Sequence, residues 1–190
     1  MDSLYDLAEG IRKCTACPLW KGRLLAVPGE GPINPRMMIV GEAPGAEEDR
    51  QGIPFVGRSG KFLTQMLSEI GIDRKDVFIT GSVKCHPLQN RTPKSLELST
   101  CKTLWLDKQV QVIEPELIVI LGGVALKSLL GEQSVNEYHG KVIVRDRNHY
   151  FVTYHPSAAL RFPTIKLKMS KDFEKLGNLM KIKNKKTRSD

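Results

Sequence analysis

Apolar positions along the chain follow two rhythms. Leu4, Leu7 and Ile11 recur at helical spacing, which predicts a short helix over residues 3–13. After a Gly- and Pro-rich stretch at 26–35, an unbroken apolar run at 37–40 reads as a strand that stops at Gly41. Residues 77–80 give a second strand. Residues 117–121 (LIVIL) give a third, whose continuous apolar run fits burial on both faces. Phe62, Leu63, Met66, Leu67 and Ile70 mark a helix with Ser59 as its N-cap and Gly71 as its stop. A long helix is predicted over 94–113, with Leu96, Leu104, Leu106, Val110 and Ile113 on or near its buried side. Gly122-Gly123 turn into a helix at 124–130, and residues 142–144 and 151–153 make two more strands. His155-Pro156-Ser157 opens a short helix, and 164–182 form the last one. Strands alternate with helices, so the predicted class is α/β, a three-layer α/β/α arrangement with a short, largely parallel central sheet. Ligands bind such sheets at the carboxyl ends of the strands. Residues 41–45, 81–84, 122–123 and 155–157 all follow predicted strands.

One segment has no rhythm. Residues 41–60, GEAPGAEEDRQGIPFVGRSG, read as a loop about twenty residues long. A loop of that length inside a compact domain is functional or disordered, and Phe55 and Val56 disfavour disorder.

The 190 residues suit one domain, taken as 1–180, followed by a basic, flexible tail at 181–190. No run of 18 apolar residues occurs, and the N-terminus is polar and mixed in charge. These features argue against a membrane protein and a secreted disulfide scaffold, and for a cytoplasmic location, with the chain taken as a monomer. The net charge is +8, from 29 Lys+Arg against 21 Asp+Glu, which favours a polyanionic partner. The last ten residues, with five basic and one acidic, carry half of it. Such a tail adds salt-sensitive, sequence-independent affinity for phosphates, so the body must supply any specificity.

Four cysteines complete the inventory of unusual chemistry. Cys14 and Cys17 form a C-x2-C pair, while Cys85 and Cys101 lie far along the chain. Without an export signal, disulfides are disfavoured. Four thiolates match one tetrahedral all-cysteine site, either zinc or iron–sulfur, and spacing alone does not choose between them. Four unrelated buried thiols are the bland alternative.

Several of these stretches together resemble a known family. Gly41-Glu42-Ala43-Pro44-Gly45 followed by Gly52-Ile53-Pro54-Phe55-Val56-Gly57-Arg58-Ser59-Gly60 resembles the first motif of the family 4 uracil-DNA glycosylases, the thermostable bacterial and archaeal type. Val83-Lys84-Cys85-His86-Pro87 through Asn90-Arg91-Thr92-Pro93 is similar to the second block, and His155-Pro156-Ser157 to the last. The resemblance runs in order from about Leu4 to Leu176. It implies a uracil-DNA glycosylase-like fold in a prokaryotic-type cell, and a base-excision repair enzyme that flips uracil out of DNA and hydrolyses its N-glycosidic bond, leaving an abasic site. It also implies a structural [4Fe–4S] cluster on Cys14, Cys17, Cys85 and Cys101, with zinc as the alternative.

Such chemistry needs a surface for the extruded base, a donor for the departing base anion and a carboxylate for the sugar cation and attacking water. Phe55 is the candidate platform, His155 the donor to the base O2, and Glu42 the carboxylate. Asn90 could place the water or the sugar; otherwise it forms an Asx turn before Arg91. Ala43, Gly81 and Ser82 are candidates at the base. Ser59, Gly60, Lys84, Arg91, Ser157 and Arg161 are candidates for gripping DNA, with Leu160 or Arg161 as the wedge that fills the vacated stack, or Leu160 in the core instead. Glu47, Glu48 and Asp49 read as solvated or helix-capping. His86, next to Cys85, is left open between a role of its own and a shield for the cysteine site, and His139 and His149 read as ordinary structural histidines.

One departure affects base choice. The family's second strand ends in Thr-Asn-Val-Val-Lys-Cys, whereas here it reads Thr80-Gly81-Ser82-Val83-Lys84-Cys85. The missing Asn would bond the polar edge of uracil. It motivates one alternative, a glycosylase with broadened choice that takes hypoxanthine or xanthine; a second, independent of Gly81, is a non-catalytic metal-containing module that binds nucleic acid.

Overall fold

A computed structural model describes residues 3–132 and 134–186. The fold opens with α1 (Leu4–Lys13), whose N-cap Ser3 and Asp6 bond reciprocally. Next come β1 (Met37–Gly41), α2 (Ala46–Gln51), α3 (Arg58–Glu69) and β2 (Val77–Gly81). They are followed by α4 (Ser95–Cys101), α5 (Asp107–Ile113), β3 (Leu117–Leu121), α6 (Gly123–Leu130) and α7 (Val135–Tyr138). The chain continues with β4 (Val142–Arg145), β5 (Asn148–Thr153), α8 (Pro156–Arg161) and α9 (Pro163–Lys186).

The five strands form one sheet in the order β2-β1-β3-β5-β4, parallel except for the antiparallel edge strand β4. In β1, Met37 and Ile39 face one layer with Phe62, Leu63 and Phe173. Met38 and Val40 face the other, with Leu106, Ile113 and Leu126. Successive side chains of a strand point to opposite faces, so a strand covered on both sides must be apolar throughout. This is the predicted three-layer α/β/α arrangement.

Several boundaries differ from the sequence reading. The unpatterned stretch 41–60 holds α2, a helix too short to show a period. The N-cap of α3 is Gly57, with Ser59 inside the helix. The helix predicted over 94–113 is continuous but contains a π-turn at Lys102–Leu106. The wider turn re-phases the buried face, so Leu98 and Cys101 point inward before it, Leu106 at its last position and Ile113 after it. Leu96 and Leu104, expected on the buried side, are exposed. The last helix extends to Lys186, through the start of the predicted tail, and 187–190 lie outside the described residues. Among the described residues, no helix is long and apolar enough to cross a membrane.

Candidate active site

The carboxyl ends of β1, β2 and β5 open onto one cleft of about 350 Å³. Glu42, Ala43, Phe55, Gly81, Asn90 and His155 all line it, so residues more than a hundred positions apart converge.

Phe55 is held in an unusual conformation. Its φ is +52°, the left-handed region that a bulky residue rarely adopts. Glu48 collects the N–H groups of Val56 and Gly57 on one carboxylate oxygen, both at 2.9 Å, and that of Gly45 on the other at 3.1 Å. Two glycines make room: a Cβ on Gly60 would lie 1.7 Å from the Phe55 carbonyl oxygen, and one on Gly41 would lie 2.5 Å from the ring. The ring therefore sits over the end of β1. Glu48, expected to be solvated or capping, both caps α2 and anchors the platform loop, and it lines the cleft. The signal available in the sequence was its place three residues after Gly45.

His155 is the N-cap of α8. Its Nδ1 accepts from the Ser157 backbone N–H at 3.2 Å and lies 2.7 Å from the Ser157 hydroxyl. Nε2 is then the nitrogen that carries the proton. Burial pushes the imidazole down to about 4, only partly opposed by the charge of Glu48, so it is neutral at pH 7. Gly122, at φ +88°, makes this seat possible: a Cβ there would lie 2.9 Å from that of His155.

Glu42 is half-buried, and desolvation raises its carboxyl above the usual range. Among the described residues its carboxylate has no hydrogen-bond or ion-pair partner. Asn90 follows Gln89 through two successive left-handed backbones, at φ +58° and +53°. Its Oδ1 lies 3.0 Å from His86 Nε2, and His86 Nδ1 is 3.8 Å from Asp49. His86 thus tethers the Asn90 loop, and it is not among the residues that line the cysteine cavity. Asp49 is buried, not solvated, and its carboxylate accepts the Leu24 N–H at 3.0 Å.

Five candidates lie elsewhere. Ser82 is fully buried and donates to the Gly41 carbonyl at 2.8 Å, tying β2 to β1 without facing the cleft. Lys84, predicted to grip phosphate, is 1% exposed. Its ammonium donates to Thr80 Oγ1, the Gly81 carbonyl and Gln109 Oε1, at 2.6, 2.9 and 2.6 Å. Gly60 is buried against the Phe55 backbone and is not among the cleft-lining residues. Leu160 and Arg161 are exposed on α8, outside the cleft lining, so Leu160 is not a core residue. Ser59, Arg91 and Ser157 do line the cleft, together with Arg58, which the sequence reading passed over. The guanidinium of Arg91 forms a two-bond pair with the buried carboxylate of Glu97, at 2.7 and 2.9 Å.

The four cysteines line one small cavity between the end of α1, the segment that follows β2, and α4. Trp105 Nε1–H donates to Cys14 Sγ at 3.2 Å and Arg23 donates to Cys85 Sγ at 2.9 Å. Burial raises the thiols of Cys17 and Cys85, and raises Cys101 to about 12. Sulfurs with N–H donors aimed at them, in a pocket that opposes free thiolates, form a donor set that a bound cation would complete. Among the described residues, no three His, Cys, Asp or Glu side chains close to the spacing of a single metal ion.

Comparison with known proteins gives a consistent picture. The profile of the Uracil DNA glycosylase superfamily matches residues 28–180. A type-4 uracil-DNA glycosylase of Sulfurisphaera tokodaii is 44% identical over 94% of this chain and 86% of its own length. That of Saccharolobus solfataricus is 41% identical over 96% and 89%. A type-5 uracil-DNA glycosylase of Pyrobaculum aerophilum is 32% identical over 82% and 74%.

Proposed function

The chain belongs to the uracil-DNA glycosylase superfamily, and from that premise we propose that it is a DNA repair enzyme that excises uracil by hydrolysing the bond between base and sugar. The observation that carries this reading is the convergence of Glu42, Phe55, Asn90 and His155 on one cleft at the strand ends. A non-catalytic binding module has no need of a half-buried, unpaired carboxylate in the same cleft as a neutral imidazole.

The extruded base stacks on Phe55. The bond from N1 of uracil to C1′ breaks, and its electron pair leaves with the base. Nε2–H of His155 donates to the developing anion at O2, and a neutral imidazole serves because only a hydrogen bond is required. Glu42 stabilises the sugar cation and takes a proton from the water that attacks C1′. That role suits a carboxylate whose affinity for protons is raised by burial. Asn90, tethered by His86, orients the water or the sugar. Ser59, Ser157, Arg58 and Arg91 hold the flanking phosphates, and Leu160, half-exposed on the helix that begins at His155, fills the vacated stack.

Cys14, Cys17, Cys85 and Cys101 hold a [4Fe–4S] cluster in this reading. The cluster would crosslink α1, the β2 loop and α4; base hydrolysis transfers no electrons, so its part is structural. The deciding experiment incubates the protein with a uracil-containing duplex, then cleaves at abasic sites with alkali. Uracil-dependent strand breaks support the reading, and binding without breaks overturns it. Parallel duplexes with hypoxanthine and xanthine test the broadened choice.

A further inference from the structure

We propose that Arg74 is a positioning residue for the base platform: it holds Phe55 in its left-handed conformation and so governs base capture from outside the cleft. This rests on the reading of Phe55 as the surface on which the base stacks.

Arg74 opens a single 3-10 turn, Arg74–Asp76, just before β2. Its side chain is 19% exposed. One guanidinium nitrogen donates to the Phe55 carbonyl at 3.1 Å and to Thr64 Oγ1 at 3.4 Å. The other donates to the Pro54 carbonyl at 2.5 Å and to Glu30 at 3.4 Å. A planar guanidinium can grip two successive carbonyls, whereas an ammonium is a point charge without that fork. Arg74 does not line the cleft, so any effect on substrate passes through the loop it holds.

The loop needs such a grip. A non-glycine residue at φ +52° persists only where its surroundings over-determine it. Here the carbonyls of residues 54 and 55 are taken by Arg74, and the amides of 56 and 57 by Glu48. The strand of backbone between them has its direction fixed from both sides. With the Phe55 carbonyl directed over Gly60, the ring is delivered across Gly41 toward His155. Without Arg74, the carbonyls lose their partners and the backbone can relax to a commoner conformation that withdraws the ring. Glu30 is half-exposed and at the limit of contact, so it is a bystander to this clamp.

The test measures single-turnover uracil excision against enzyme concentration, which separates half-saturation from the plateau rate. The proteins are wild type, Arg74→Ala, Arg74→Lys, Phe55→Ala, Arg74→Ala/Phe55→Ala and, as a control, Glu30→Gln. Arg74→Ala should raise the half-saturating concentration about tenfold and change the plateau less. Arg74→Lys should fall in between, and Glu30→Gln within twofold of wild type. In the Phe55→Ala background, losing Arg74 should cost less than twofold, because the platform it serves is gone. Equal factors in both backgrounds mean a general structural effect and overturn the proposal. If Arg74→Ala does not fold, an Arg74→Lys protein indistinguishable from wild type overturns it equally. A Phe55→Ala protein with unchanged half-saturation removes the platform reading and this proposal together. A weakened Phe55→Ala beside an unaffected Arg74→Ala removes this proposal alone.

Discussion

The rings of Phe55 and His155 stand 5.9 Å apart between centroids and are tilted by 35°. A base sandwiched between two parallel rings needs about 7–8 Å, twice an optimal carbon–carbon contact. The pair is therefore too close and too tilted to clasp a base between two faces. It suits a base lying on Phe55 with its edge toward His155, the arrangement that the proposed donor role of the histidine requires.

This division of roles gives the first prediction. His155→Ala and Glu42→Gln should each slow single-turnover excision at saturating enzyme by about 10²-fold or more, the scale of one lost electrostatic stabiliser. The acid limb of the rate should belong to Glu42. Its carboxyl lies above the usual range, and activity is lost as pH falls through that raised value, whereas His155 is protonated only near 4. In Glu42→Gln the slow residual rate should be flat between pH 5 and 7. A steep acid limb surviving in that variant would take Glu42 out of the role.

His155 also links stability to pH. Its imidazole is ordinary, near 6.5, in the unfolded chain and near 4 in the fold, so the unfolded state binds more protons between those values. Stability should therefore fall as pH drops from about 6.5 toward 4, by up to about 3 kcal/mol from this residue alone. Urea unfolding at pH 7 and pH 5 should show a smaller acid loss for His155→Gln than for wild type.

The strands and their order of burial were legible because a sheet covered on both faces demands continuous apolar runs, as in Met37–Gly41 and Leu117–Leu121. The cleft was legible as the place where glycine-rich stretches follow strands. What escaped was anything set by contacts across the chain. The composition of LEL…LWL at 96–106 does not show a π-turn, so Leu96 and Leu104 were assigned to the buried side. Lys84 looks like a phosphate ligand in sequence, since nothing local shows that Thr80 and Gln109 close over its ammonium. Arg74 lies between two elements in a polar turn, and its hold on residues 54 and 55 is visible only once β2 is placed.

The second prediction concerns Lys84. Replacing it with Met removes the donor of three buried bonds, to Thr80, Gly81 and Gln109. Each acceptor left unpaired in the interior costs about 1–3 kcal/mol, so the variant should be destabilised by several kcal/mol. The salt dependence of DNA binding by the folded fraction should not change. A slope lowered by about 0.9, one phosphate contact, would return Lys84 to the DNA surface.

The third prediction is about the cysteines. Anaerobically purified protein should be brown and carry about four iron and four sulfide per chain. Cys101→Ser, at one of the two buried cysteines, should lose the colour and unfold at lower temperature. Trp105→Phe keeps an aromatic ring but removes the N–H to Cys14, and should bleach faster in air at unchanged initial iron content. One zinc per chain and no iron would replace the cluster with a single ion and overturn the iron–sulfur reading.

The fourth prediction reverses a simple expectation from sequence. Restoring the family's Asn at Gly81 would seem to give the pocket a side chain for the uracil edge. The backbone around Gly81 argues otherwise. A Cβ there would lie 2.9 Å from the Val83 carbonyl oxygen, a backbone atom that cannot swing away, and 3.6 Å from Ala43 and the Glu42 carbonyl. The Gly81 carbonyl is itself held at 2.9 Å by the buried Lys84 ammonium, and the strand end is in register with Gly41. The turn into Val83 is built around the missing side chain. Gly81→Asn should therefore lower stability by about 1–3 kcal/mol, the usual cost of overpacking, and slow uracil excision. Gly81→Ala, with the Cβ alone, should show most of the stability loss. Thermal unfolding and single-turnover rates on one uracil duplex check both. An Asn variant as stable as wild type and faster on uracil would mean that the turn opens freely, and that this chain lacks only the side chain that reads the base.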